Sequence, residues 1–308
     1  MSVLVIGGSG FIGRALIRRL VSGGHDVVAT SRSVESRFRL EGLRWQNLEL
    51  KYFSDDCVDL SSISVIYHLG WSTVPSIANS APAADLADNV VGSIRLLDVI
   101  RRSERNIRLI FASSGGTVYG PTSTIPAHED LPLMPISAYG LSKATVERYI
   151  DFYVQNYALD AITLRIGNPF GFGQASNRAF GAVTTFCANA VRRRPIVIFG
   201  DGKIVRDYLH VDDLVDALIA AAAASTTYRH FNIGSGSGIS LNEIVRLIAD
   251  MIGRPLKVEY QPQRAFDVSV SVLAIDRATL NLGWRPKISF REGLSRTLSG
   301  IQQLDVQL

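Results

Sequence analysis

Tyr139 and Lys143 stand four residues apart in the run Tyr-Gly-Leu-Ser-Lys, inside a stretch from Ala138 to about Tyr157 that reads as a helix. At that spacing the two side chains share one helical face. A phenol titrates at about 10 and is a poor base at neutral pH. An ammonium one turn along favours the phenolate and lowers that value. The pair could therefore move a proton on or off a bound hydroxyl. The spacing is common by chance and equally describes a surface pair, so its meaning depends on what else the chain brings to the same place.

What must position the pair begins at the amino terminus. Residues 3–6, Val-Leu-Val-Ile, form a short β-branched apolar run, read as a buried parallel strand. It enters Gly7-Gly8-Ser9-Gly10-Phe11-Ile12-Gly13, after which Ala15, Leu16, Ile17, Leu20 and Val21 recur at helical spacing until Gly23-Gly24. A second apolar strand follows at residues 27–30. Strand, glycine turn, helix and strand in that order are the context of a dinucleotide site: Gly7 for the turn, Gly10 for close approach of a pyrophosphate, Gly13 for helix packing. The helix start at Phe11 and Ile12 then offers unpaired N–H groups to phosphate. Lys143 can also reach the nicotinamide ribose, so one residue would orient the cofactor and tune the base.

Where the second strand ends, an acidic residue would hold the ribose hydroxyls, and this chain has Ser31-Arg32. A hydroxyl followed by a guanidinium accepts a 2′-phosphate, which leans the expected NAD(P) cofactor towards NADP. The other reading is a solvated Arg32 and a turn-capping Ser31.

Further along, residues 33–45 read as irregular and 48–53 as a third strand closed by Ser54-Asp55. Asp55 either approaches the adenine or only ends that strand. Residues 65–69 form a strand followed by Gly70-Trp71, with Leu69 and Gly70 placed to pass along the cofactor. Helical spacing at 89–101, a strand at 109–112, the Ser113–Gly120 loop, the 138–157 helix and a strand at 161–165 complete an α/β, doubly wound parallel sheet of the Rossmann kind. From about residue 172 the pattern loosens into helices at 179–193, 211–224 and 240–252 with short strands at 196–199 and 230–233. Residues 1–171 are read as the dinucleotide-binding domain. Residues 172–308 are read mainly as a smaller C-terminal α/β lobe over the substrate, with segments returning to the sheet.

At 308 residues, 47% hydrophobic and 19% charged, the composition is that of an ordinary globular protein. No apolar run approaches the twenty or so residues of a membrane span, and a cytoplasmic location without membrane attachment is expected. Cys57 and Cys187 lie in no paired motif and the five histidines show no ligand spacing, so free buried thiols and no metal are expected. The net charge of +4 comes with no continuous basic helix and no basic segment interleaved with aromatics; a basic cleft for a phosphate-rich small molecule explains it as well as nucleic acid does, and no nucleic-acid partner is expected.

Taken together, the motifs resemble the extended short-chain dehydrogenase/reductases of the NAD-dependent epimerase/dehydratase family, near the UDP-glucose 4-epimerase branch. The resemblance runs from about Ser2 to Pro286. It is carried by Gly7-x-x-Gly10-x-x-Gly13, Asn89 in Asn-Val-Val-Gly, Ser113-Ser114-Gly-Gly-Thr117-Val-Tyr-Gly, Tyr139-x-x-x-Lys143 and Asn168-Pro169. Val205-Arg206-Asp207-Tyr208, His210-Val211-Asp212-Asp213 and Arg264-Ala-Phe-Asp267 extend it. It implies that Tyr139 takes the proton of a sugar 4-hydroxyl while hydride passes to nicotinamide. A hydroxyl from the serine stretch bridges the two: Ser114 by spacing, with Thr117 the alternative because the glycine pair leaves the register open. Asn89 and Ser113 would lie by the cofactor; Asn168, Arg206, Arg264 and Asp267 would bind the substrate. An arginine beside a loop is often only solvated, yet two in matching contexts could clamp a diphosphate from both sides.

Relatives that remove water need an Asp-Glu pair where this chain has Gly115 and Gly116, so that chemistry lacks its proton carriers. The resemblance therefore implies a UDP-hexose or UDP-N-acetylhexosamine 4-epimerase, or alternatively an NADPH-dependent 4-ketoreductase of a UDP-deoxysugar. Helices near 90–101 and 138–157 carry apolar residues beyond one core face, and relatives pair these helices, so a homodimer is expected.

Overall fold

The structure is a computed structural model that describes residues 2–34, 36–175, 181–264 and 267–306. The apolar run at 3–6 is buried throughout and forms strand β1 (Ser2–Ile6), followed by helix α1 (Phe11–Ser22) and strand β2 (Asp26–Ser31). Next come β3 (Leu43–Asn47) and β4 (Ile63–His68), then short helices α2 (Pro75–Ser80) and α3 (Pro82–Asp85), and a wide turn, Leu86–Val91, that continues into α4 (Gly92–Arg102). The first half closes with β5 (Arg108–Ser114), one turn of helix α5 (Gly115–Val118), the long helix α6 (Ala138–Tyr157) and β6 (Ala161–Ile166).

Seven strands form one sheet in the order β10, β6, β5, β4, β1, β2, β3, where β10 is His230–Ile233 and every pairing is parallel. Parallel strands need crossovers, and their helices cover both faces. Leu16, Ile17 and Leu20 of α1 join Leu214, Val215 and Leu218 of a later helix on one face. Leu96, Leu97 and Ile100 of α4 join Val146, Ile150 and Tyr153 of α6 on the other. From β1 the chain winds outwards to β2 and β3, whereas β4, β5 and β6 wind the opposite way. The strand order thus reverses between β1 and β4, where a crevice for ligands opens at the carboxyl ends.

After β7 (Asn168–Phe170) and α7 (Ala182–Val191), the chain forms β8 (Ile196–Phe199), β9 (Val205–His210) and α8 (Val211–Ala223). Beyond β10 lie β11 (Gly238–Ser240), α9 (Leu241–Ile252), β12 (Val258–Gln261), β13 (Val270–Ser271), α10 (Asp276–Leu282) and α11 (Phe290–Val306). Strands β7, β9, β11 and β13 make a second sheet, and β8 pairs with β12. This part has its own core, with Phe170, Phe186, Ile196, Tyr208, Ile244, Ile248 and Leu294 packed together. Strand β10 and helices α8 and α10 return to the large sheet.

Three expectations are corrected: the irregular stretch, the strand at 48–53 and the burial of Cys57. The third strand is Leu43–Asn47, beginning within the stretch read as irregular and running two residues past it; it is an edge strand whose Leu43 and Trp45 alternate with exposed Arg44 and Gln46, so no apolar run marks it. Residues 48–53 are instead an irregular segment with a short 3-10 turn, and Leu48, Leu50 and Phe53 pack on the α4 side of the core. The helix expected from 179 is described from Ala182, residues 179 and 180 lying outside the described residues. Cys57 and Cys187 are both free, but only Cys187 is buried. Among the described residues no helix is long and apolar enough to cross a membrane.

Candidate active site

The glycine turn lies at the β1/β4 crevice. Gly7 has φ +84°, and a Cβ there would sit 2.6 Å from the Gly70 Cα, so these two backbones meet as only glycines can. A Cβ at Gly13 would lie 2.4 Å from the Gly7 carbonyl oxygen. Gly10 caps α1 without a side-chain bond, leaving the first-turn N–H groups directed outwards. Leu69 N–H donates to Ile6 O, which ties Leu69-Gly70 to the turn. The Phe11 ring reaches across to Gly171, and Ile12 packs on the β1 side. This cradle fits a dinucleotide pyrophosphate: close backbone, free donors and a helix dipole.

At the end of β2, Ser31 is buried and its hydroxyl is spent locally, donating to Ser33 O at 2.8 Å and lying 2.9 Å from the Ser36 hydroxyl. Arg32 is exposed. Beside it Arg14 donates to Ser9 O and Ser36 O, and the buried Arg37 Nε has no partner among the described residues. Asp55 is paired on the surface with Arg102 at 3.0 Å, and the strand it was to close does not exist.

Helix α6 starts at Ser137, whose hydroxyl accepts from Gly140 N–H, and Ala138 N–H is held by Asn79 Oδ1. Tyr139 and Lys143 follow on its first turns. The Lys143 ammonium is buried, donates to Ala112 O at 2.6 Å and stands 3.6 Å over the Trp71 ring. Its distance to the Tyr139 ring centre is 5.8 Å. Burial pulls Lys143 down to about 7 against the attraction of Asp85 and Glu147. Burial, with Asp85 adding to it, pushes the Tyr139 phenol up. The surroundings of Tyr139 therefore do not lower the phenol as its spacing suggested, because desolvation of the anion dominates.

Asp85 is a fully buried carboxylate that composition and spacing did not single out. It accepts from Thr73 and Ser142, and from Asn89 Nδ2 at 2.9 Å. Asn89 in turn accepts Ser72 N–H at 2.8 Å, so it fixes the loop after β4 from beneath.

The serine stretch divides by strand alternation. Ser113 faces the core and donates to Glu147, whose other oxygen takes the Arg165 guanidinium at 2.8 and 3.0 Å. Arg165 also donates to Tyr119 and to Glu129 O, and Tyr119 to Asn232. Ser113 is thus committed to this network. Ser114 is half-buried at the start of α5, and Thr117 donates to its carbonyl oxygen at 3.3 Å. A Cβ at Gly115 would strike Leu273 and Arg165 O, whereas one at Gly116 would meet only Asn168 Nδ2, at 3.6 Å.

Asn168 begins β7 and donates to Asp207 O at 3.3 Å. Arg206, largely buried, donates to Val205 O and Val268 O and lies 3.7 Å from Asp267. Arg264 stacks at 3.8 Å on Phe199, an aromatic that the sequence reading did not single out. The structure brings Arg206 and Asp267 together; Arg264 is engaged with the β8 ring instead.

A family model, the NAD dependent epimerase/dehydratase family, matches residues 3–234. The chain is 33% identical over 306 residues to a UDP-glucose 4-epimerase of Mycolicibacterium smegmatis, covering 97% of each. It is 31% identical over 309 residues to a dTDP-4-dehydro-6-deoxyglucose reductase of Escherichia coli, again covering 97% of each. Among solved structures it superposes on a UDP-glucose 4-epimerase of Thermotoga maritima, solved with UDP-glucose, with a TM-score of 0.93, 31% identity and 99% of each chain covered. A Thermus thermophilus UDP-glucose 4-epimerase, solved with NAD, gives a TM-score of 0.90 at 29% identity, covering 98% of this chain and 99% of that one.

Proposed function

We propose that this chain, which belongs to the NAD dependent epimerase/dehydratase family, is a nucleotide-sugar 4-epimerase acting on a UDP-hexose or UDP-N-acetylhexosamine through a 4-keto intermediate. The observation that carries the reading is the Tyr139–Lys143 pair packed on Trp71, the residue after the Gly70 that meets the glycine turn at Gly7, with no acid or base at 115 or 116 to take the reaction on to loss of water. Bound NAD(P) would accept and return the hydrogen at the sugar carbon. Gly7, Gly10, Phe11, Ile12, Gly13, Leu69 and Gly70 would hold it, with Asn89 supporting the loop beside it.

Tyr139 Oη takes the proton of the 4-hydroxyl and gives it back to the keto oxygen, and the Ser114 hydroxyl bridges sugar oxygen and phenol, with Thr117 in reserve. Lys143 supplies the positive charge that a phenolate needs once the pocket is filled. Asn168 orients the sugar nucleotide, Arg206 is held by Asp267 for one side of the diphosphate, and Arg264 leaves Phe199 for the other. The dinucleotide part is residues 1–171, and the lobe of residues 172–308 carries most of the sugar-nucleotide contacts. The unpaired thiols accord with a reducing, cytoplasmic setting.

A second reading, a 4-ketoreductase of a deoxysugar nucleotide, is favoured by the reductase relative and by the basic end of β2, where Arg32 and the orphaned Arg37 Nε would suit a 2′-phosphate. Purified protein incubated with UDP-glucose, UDP-N-acetylglucosamine and a UDP-4-keto-deoxysugar separates the two. An epimerase turns over many sugars per bound cofactor. A reductase consumes one NADPH for each product, and the ratio of kcat/KM for NADPH over NADH measures the lean at Arg32.

The proposed assembly is a homodimer through α6 and the Leu86–Val91 turn. Leu141, Tyr149 and Phe152 form one exposed stripe on α6, and Leu86 and Val91 lie exposed on the adjoining segment. Sedimentation is expected to give twice the 33.6 kDa chain mass, and Phe152→Glu to give a monomer with unchanged helical content. A wild-type monomer at micromolar concentration contradicts the assembly.

A further inference from the structure

Trp71 stands three residues beyond the end of β4, and its ring packs among Lys143, Tyr139 and Phe111. The Lys143 ammonium sits 3.6 Å over the ring centre, and the Tyr139 ring meets it edge-on at 6.0 Å and 71°. Phe111 backs it at 6.2 Å. The indole N–H is buried and has no partner among the described residues. A buried indole usually finds an acceptor, and an orphaned donor is costly, so packing alone is a poor reason for tryptophan here. Lys143 has three donors, and Ala112 O is the carbonyl that receives one of them. The ring face supplies the attraction that a second acceptor would give.

We propose that Trp71 is a positioning residue of the catalytic pair: its ring face holds the Lys143 ammonium in place beneath Tyr139, and its edge fixes the Tyr139 ring. The proposal rests on the roles given to Tyr139 and Lys143 above.

The groups facing Lys143 are Asp85 from α3, Glu147 from one turn further along α6, His68 from β4 and Tyr139 itself. Asp85 and Glu147 favour its charge, whereas burial opposes it. His68, driven down to about 3 by burial, is neutral and adds nothing at working pH. Lys143 therefore loses its proton as pH rises through about 7. An aromatic face favours the charged form of a desolvated ammonium and so extends its charge upwards in pH.

The test is the pH dependence of kcat in wild type, Trp71→Phe and Trp71→Leu. Leucine keeps the site apolar and removes the ring. The falling limb is expected to move down by about one pH unit in Trp71→Leu and by less in Trp71→Phe, with KM for the sugar nucleotide little changed. A second readout uses cofactor-free protein: the difference in tryptophan emission between wild type and Trp71→Phe, followed against pH, should show a transition that Lys143→Met abolishes. A falling limb that stays in place in Trp71→Leu while stability drops overturns the proposal, as does an emission transition that survives Lys143→Met. The emission experiment decides even if Trp71→Leu does not fold. It also decides if the wild-type protein turns over no sugar nucleotide, an outcome that would sink the proposed function alone.

Discussion

Replacing Tyr139 by Phe is expected to leave the protein folded and able to take up a nicotinamide dinucleotide, while turnover of the sugar nucleotide falls by about 10²- to 10⁴-fold. The ring sits against Trp71 and the first turn of α6, and phenylalanine keeps that packing. What it removes is the oxygen at which a proton is taken and returned. Burial and the Asp85 carboxylate push the phenol up, so Tyr139 is held in its protonated form. Activation must come with filling of the pocket, so activity should rise with pH in the complex over a range set by that event, and the rising limb should vanish in Tyr139→Phe. Product formation by chromatography together with a titration of cofactor by fluorescence checks both halves. Undiminished turnover with intact cofactor binding removes Tyr139 from the chemistry.

The largest stability effect is expected at Arg165. Its guanidinium and the Glu147 carboxylate are almost wholly buried, 6% and 1% exposed in their side chains, and they bond through two nitrogens to one oxygen. Arg165→Met leaves Glu147 charged in the core with Ser113 as its remaining close donor, which should cost about 3–5 kcal/mol. Urea unfolding with an unchanged slope would read this as a lower midpoint. The double change Glu147→Gln/Arg165→Met removes the stranded charge and should recover much of the loss. A single variant within about 0.5 kcal/mol of wild type, the scatter of ordinary surface changes, would mean that water or a neighbouring group replaces the pair. The network joins β5, β6, α6 and β10 through Ser113, Arg165, Glu147, Tyr119 and Asn232. A folded but loosened variant should therefore lose activity as well, since Ser114 and Tyr139 take their relative position from these elements.

The parts of the chain that were readable in one dimension are those where local pattern and final environment coincide. Residues 3–6 are apolar because both faces of β1 are covered, and the glycines at 7, 10 and 13 are there because backbone and backbone meet. Helix α6 was legible over its full length because its cap, its spacing and its core face agree. The third strand was not, since an edge strand half open to water needs only alternate apolar residues, and Leu43 and Trp45 are too few to announce it. Residues 48–53 misled for the opposite reason: Leu48 and Phe53 are buried by α4, not by pairing. Ser113 and Ser114 are indistinguishable by type, and only the pleat of β5 turns one to Glu147 and leaves the other uncommitted. Trp71 and Asp85 carry no local mark at all, because what gives them meaning is Lys143 and Ser142, more than fifty residues away.

The large sheet is finished late. Its outer strand on the β6 side is β10, which the ribosome delivers only after the whole of β7, α7, β8, β9 and α8 has been made. Until residue 233 emerges, β6 presents bare backbone donors and acceptors to whatever strand passes, and Tyr119 waits for Asn232. A nascent chain stalled before that point is a sticky object, and a gene cut at residue 171 would not yield a free-standing half. Sheet and lobe are one translational commitment, which makes the nascent polypeptide a natural client for holding chaperones while residues 167–233 are being made.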